Sequence, residues 1–273
     1  MYIALRGGHY TTKLVKDQIT ALGITIINKG NEIMALPCIP RTQRRWHCDY
    51  LDKTLTIQAF HIGLQTILLQ TADDNTPANE RADAMRQVVK DCVMEDVDVD
   101  ALPTFVIEMI FVQARKISIG EIVELYYHCT NKPEGSDKEC GGKVNVKVNL
   151  EDVVIKEYDG HSRDVKLGGD WTMRLMYPCL TMTDEDLDVD KAEDLICNFF
   201  ECVFNEEEVH YRKDYSRDDL RNWVASLGTD VQLGVMETFF KQMPHIWYET
   251  EVPCDSCGHV HKVKFKSINT LFA

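Results

Sequence analysis

One short stretch, Cys254-Asp-Ser-Cys257-Gly-His, limits this chain more than any other, because it sits between two alternating runs, Trp247–Val252 and Val260–Phe265. Alternation on both sides of a polar turn predicts a β-hairpin with two thiols at its tip. Thiolates two residues apart can reach one Zn²⁺ from such a turn, and Gly258 supplies the backbone freedom that the turn needs. A closed structural zinc site takes four ligands, so this is half a site. The rest of the chain must hold the other half.

The complement stands in the middle of the sequence. Glu121–His128 alternates, Cys129 follows, a ten-residue polar loop leads to Cys140-Gly141-Gly142, and Lys143–Leu150 alternates again. Cys129, Cys140, Cys254 and Cys257 therefore make a four-cysteine set on two hairpins, the arrangement of a zinc ribbon, with one structural zinc per chain as the expectation. Ten intervening residues exceed the usual two to four of a ligand pair, and the strands would have to close that loop. His128, His259 and His261 lie beside the cysteines as substitute ligands, and four merely buried thiols are the alternative without metal. A redox-active pair is disfavoured, because that motif opens a helix and this one lies between strands.

Elsewhere helices and strands alternate in blocks. Apolar spacing predicts helices from Leu55 to Leu69, from Thr76-Pro77 to about Cys92, and from Leu102-Pro103 to Arg115, with Val106, Ile107, Ile110, Phe111 and Ala114 on one face. Strands are expected at Val153–Glu157, Arg163–Leu167 and Trp171–Tyr177 as a small antiparallel meander. An acidic lead, Asp184 to Asp190, runs into a helix over Ala192–Phe204, and capping patterns at Ser216 and Thr229 open two more, the second reaching about Gln242. A Ser267-capped turn ends the chain. Asp96, Asp98 and Asp100 imitate a calcium loop but lack its central glycine and closing glutamate. The fold class expected is α+β: helical segments around a small antiparallel β meander with a zinc-ribbon-like pair of hairpins. The division expected is 1–52 as a β-rich arm, 53–120 as a helical region, 121–180 plus 246–273 as the ribbon unit, and 181–245 as a helical insertion.

Charge and motif content narrow the function classes. A net charge of -14 opposes broad contact with phosphate backbones, although Arg41, Arg44 and Arg45 flank Trp46, and Lys262, Lys264 and Lys266 share a strand face. Residues 1–25 lack the apolar core of a signal peptide and no run reaches membrane-span length, so the ten cysteines are expected to be made in a reducing cytosol, with no membrane partner. No nucleophile elbow, phosphate loop or dinucleotide fingerprint occurs, and a zinc saturated by four thiolates has no position for water. A non-enzyme without a small-molecule substrate is the expectation.

Several segments stand in a fixed order: Leu102-Pro103-Thr104-Phe105-Val-Ile-Glu108 with Arg115 and Ser118-Ile-Gly120-Glu121, Cys140-Gly141 with Lys143 through Leu150, the helix pairs after Ser216 and Thr229, Met243-Pro244, and Cys254-x-x-Cys257-Gly258 with Leu271-Phe272. In this order they resemble a known family, the baseplate hub proteins of T-even-type contractile-tailed bacteriophages, which includes hub subunits and hub assembly factors. The chain departs from the pattern at the widened first cysteine pair, at Val106 where an acid is expected, and over 1–30. The resemblance implies a virion protein of the tail baseplate whose partners are other phage tail proteins. An assembly chaperone absent from the finished particle and a zinc-ribbon nucleic-acid adaptor are the alternatives.

Overall fold

The computed structural model describes residues 25–29, 32–36, 39–64, 67, 77–182 and 192–266. The chain forms two compact units, 1–41 and 42–273. The first contains an antiparallel hairpin of β1 (Thr25–Lys29) and β2 (Glu32–Leu36), in register from Thr25 opposite Leu36 to Lys29 opposite Glu32. The acidic lead 184–190 and the Ser267 turn lie outside the described residues.

The second unit is organised on one helix, α2 (Thr104–Ser118), which follows α1 (Ala78–Cys92). Its sequence is apolar nearly all round, with Phe105, Val106, Ile107, Met109, Ile110, Phe111, Val112 and Ala114 buried. Such a helix can be stable only in the interior. It packs on α1, on the hairpin β3 (Gln43–Cys48) and β4 (Lys53–Gln58), and on β7 (Val154–Lys156) and β12 (His245–Pro253). Pro103 stands just ahead of its first turn, where the missing N–H costs nothing, and Thr104 N–H donates to Pro178 O at 2.9 Å. Its last turn carries Arg115 and Lys116; the nearly buried Lys116 ammonium meets Glu151 at 2.7 Å.

Strands flank this helix in small antiparallel sheets. β5 (Ile122–His128) pairs with β6 (Lys143–Asn149), and β12 lies between β7 and β13 (Val260–Phe265). A four-stranded sheet runs in the order β11 (Val209–Tyr211), β10 (Phe200–Phe204), β9 (Trp171–Leu175), β8 (Asp164–Gly168). The expected meander is thus divided: β7 leaves β8 and β9 to join β12, so that Ile155 faces Ile246. The α+β class stands.

Two expected helices are corrected. Lys53–Gln58 is strand β4, not the start of a helix, because Leu55 and Ile57 bury at every second position while pairing with Trp46 and Arg44; among the described residues of that span, helical turns appear at 62–64 and at 67. The helix expected to reach Phe204 stops at Phe199 as α3 (Ala192–Phe199), and Phe200–Phe204 continues as strand β10 between β9 and β11. Aromatic and β-branched residues suit a half-buried strand, and pairing on both sides overrides helical spacing. Downstream, Ser216 caps α4 (Arg217–Ala225) by accepting from Asp219 N–H, as its pattern predicts. Gly228, not Thr229, occupies the cap position of α5 (Thr229–Val235), which runs into a π-helical turn, Met236–Phe240.

The four-stranded sheet meets the helices through rings. Tyr177 touches Tyr50, Phe105 and Phe239 with centroids 5.2 to 5.8 Å apart. His161 completes a triangle of near-parallel rings with Tyr177 and Phe239. Its Nδ1 lies 3.1 Å from Thr238 O, an acceptor only, so Nδ1 carries the proton and Nε2 accepts from Tyr177 Oη–H at 2.7 Å. Burial holds the His161 pKa below the ordinary imidazole value. The neutral ring is favoured in the folded state, so its contribution is complete above the unfolded pKa of about 6.5 and is lost as pH falls below it. Urea unfolding at pH 7.5 and 5.5 should show a drop in stability that is smaller in His161→Phe.

Candidate metal centre

Two hairpin ends build the site, and they share one backbone pattern. In the first, Cys129 N–H donates to Gly142 O at 2.8 Å and Gly141 N–H donates to Cys129 O at 2.9 Å. In the second, Cys254 N–H donates to His259 O at 2.8 Å and Gly258 N–H donates to Cys254 O at 2.8 Å. Each end therefore reads Cys, then a second Cys followed by a left-handed glycine, Gly141 at φ +65° and Gly258 at φ +73°. Only glycine adopts that conformation without strain. The ten-residue loop of the first hairpin closes because the β5–β6 ladder reaches its mouth and Cys140 N–H donates to Asn131 O at 2.7 Å. That closure brings the widened pair to the geometry of the narrow one.

The hairpins meet sulfur to sulfur. Cys129 Sγ lies 3.7 Å from Cys257 Sγ, Cys140 Sγ lies 3.9 Å from Cys254 Sγ, and all four sulfurs lie within 4.8 Å of one another. Tetrahedral zinc with Zn–S bonds of about 2.3 Å places sulfurs about 3.8 Å apart. The donor set and its spacing fit that ion, and no protein side chain remains to be added. Cys129 and Cys254 are buried, while Cys140 and Cys257 are half-buried.

Donors converge on the sulfurs. Backbone N–H groups two residues on point back at three of them: Asn131 to Cys129, Gly142 to Cys140 and His259 to Cys257. The His259 N–H, aided by the Asn131 amide 3.7 Å away, holds the Cys257 thiol down at about 7, so it is a ready thiolate. Burial pushes Cys129 up to about 12. Cys140 feels the Gly142 N–H most, yet burial and the neighbouring sulfurs leave it raised. One early thiolate beside the raised thiols of Cys129 and Cys140 is a centre that a divalent cation completes by displacing protons.

The histidines separate. His261 Nε2 lies 3.2 Å from Cys129 Sγ, with its ring held edge-on by Tyr127 at 5.4 Å, so it comes to the cluster as a hydrogen-bond partner of a sulfur. His128 faces Gly141 O, and His259 turns its ring to His261 and is exposed. Asn131 and Gly142 carry no spacing signal that sequence reasoning could use; their part depends on the closed loop. Gly142 is where the hairpins come nearest. A Cβ there would lie 2.7 Å from Ser256 Cβ and 3.1 Å from Cys254 Sγ. Gly142→Ala should therefore cost about 1–3 kcal/mol by forcing the hairpins apart. Ser256→Gly, which removes the nearest obstacle, should restore part of that loss in a double-mutant cycle measured by urea unfolding.

A family model described as T4 bacteriophage base plate protein matches residues 40–273. No curated protein and no solved structure matches the chain at a significant level. The matched range takes in both cysteine hairpins and every described element of the second unit. On that match the chain belongs to the T4 bacteriophage base plate protein family.

Proposed function

We propose that this protein is a structural component of the tail baseplate at its hub, acting through protein-protein interfaces, with a fold clasped by one zinc on Cys129, Cys140, Cys254 and Cys257. Family membership over 40–273 carries the reading. The four sulfurs within 4.8 Å support the clasp, since their spacing suits zinc and leaves no open coordination position for catalysis. On this reading the zinc is structural and takes no part in chemistry. The zinc would supply a cross-link between mid-chain and C-terminal hairpins, and Asn131 and His261 would steady the sulfurs it holds. No helix among the described residues is long and apolar enough to cross a membrane.

Mass spectrometry of purified virions tests the role. The protein should be found in particles and enriched in isolated baseplates. Its presence in infected cells with absence from particles would instead make it an assembly factor for the hub.

A further inference from the structure

The sheet of β7, β12 and β13 has one face on the core and one open. Cross-strand partners share a face, so Val154, Lys156, His245, Trp247, Glu249, Glu251, Lys262 and Lys264 lie together on the open side. Three ammonium groups from two different strands gather on one ring there. Lys156 Nζ lies 4.0 Å from the Trp247 centroid, Lys264 Nζ 5.5 Å and Lys266 Nζ 5.9 Å. Lys264 and Lys262 are paired, with Glu249 at 3.2 Å and Glu251 at 3.3 Å. Lys156 and Lys266 have no ion-pair partner among the described residues. The surrounding chain carries a net charge of -14, so this is a local reversal of sign.

A second observation concerns the backbone. β13 is the end strand of its sheet, in the order β13, β12, β7, and no described strand pairs with its outer side. Its lysines recur at Lys262 and Lys264, the period of a strand, and Lys266 follows directly after its last residue. Lysines on an edge strand ordinarily keep other strands away by staying spread and hydrated. Here Lys264 and Lys266 are instead drawn with Lys156 to a common aromatic surface, and among the described residues Lys264 alone of the three has a carboxylate partner, which leaves positive charge for a further anion.

We propose that the outer edge of β13 is a docking strand for an extended segment of another baseplate protein that carries carboxylates at every second position. Added beside β13, such a segment places its acids opposite Lys262, Lys264 and Lys266 and satisfies the free backbone groups of the edge. Its intervening side chains fall on the side of Val263 and Phe265. Glu249 and Glu251 on the same face oppose a continuous phosphate backbone. The inference rests on the structural role proposed above and names one of its surfaces.

The test is an anisotropy titration of the full-length protein with a labelled peptide of roughly nine residues in which Asp and Val alternate, at low salt. Saturable binding is expected, weakened about tenfold or more by Lys264→Glu with Lys266→Glu, while thermal melting stays unchanged. Lys264→Gln with Lys266→Gln, which removes charge without reversing it, should weaken binding in the same direction. A peptide of equal composition with its Asp residues in one block should bind less well, and N-methylation of alternate amides should abolish binding. Equal binding of the block peptide would overturn strand addition. Tighter binding of a single-stranded dT oligonucleotide would overturn the proposal in favour of a nucleic-acid surface. Dimerisation of the protein alone, abolished by the same lysine substitutions, would overturn it in favour of a second copy. Presence in virions with no peptide binding would refute this surface alone, and absence from virions with peptide binding would refute the structural role alone.

Discussion

Cys254→Ser is expected to lower unfolding stability by at least about 3 kcal/mol, part of the roughly 10–16 kcal/mol that a complete structural zinc site contributes in small metal-dependent domains. The zinc assignment makes three linked demands. Purified protein should hold one zinc per chain, a strong chelator should shift the urea midpoint of the wild type, and the same chelator should leave Cys254→Ser unmoved. Cys202→Ala is the control, because Cys202 is buried in β10 and takes no part in the four-sulfur cluster. Acid should act like the chelator, since protons compete for the thiolates. If chelation changes nothing in the wild type, the sulfurs are packed thiols and the clasp is lost as an idea.

Phe111→Ala is expected to cost about 3–5 kcal/mol and to lower Tm by roughly 10 °C, because it opens a cavity in a helix that has no solvent side at that level. Phe111 and its neighbours Ile110 and Val112 are all buried, so the walls belong to several elements and cannot collapse together. Gln113→Ala, at a half-buried position two residues on, should cost far less. A small effect at Phe111 would mean that α2 is not the organising element of the second unit.

How much of this was readable from residues alone depends on how local each feature is. The Cys254–Cys257 hairpin was legible because alternation and ligand spacing both lie within twenty positions. Helix α2 was legible because its apolar run begins at Leu102-Pro103 with a clear stop at Gly120. Strand β4 was not, since Leu55 and Ile57 suit either period and only pairing with β3 decides between them. Strand β10 follows α3 with no glycine or proline between, so nothing in Phe199-Phe200 announces the change. Gly228 displaced Thr229 from the cap because the backbone, not the hydroxyl, turns there. In the centre itself the four cysteines were visible, but Gly142 against Ser256 and His261 against Cys129 require two hairpins in place. The convergence on Trp247 likewise needs the register of β7, β12 and β13.

The paired cysteine hairpins also bear on how the chain is made. Cys129 and Cys140 leave the ribosome long before Cys254 and Cys257, with α3, β10, α4 and α5 emerging in between. During that interval the first hairpin presents two sulfurs to a metal and has no second half of its own. A neighbouring chain on the same messenger could lend one. With zinc as the proposed latch, exchange of the C-terminal hairpin between copies would be the natural error of synthesis, and timely metal supply would keep each latch within its own chain.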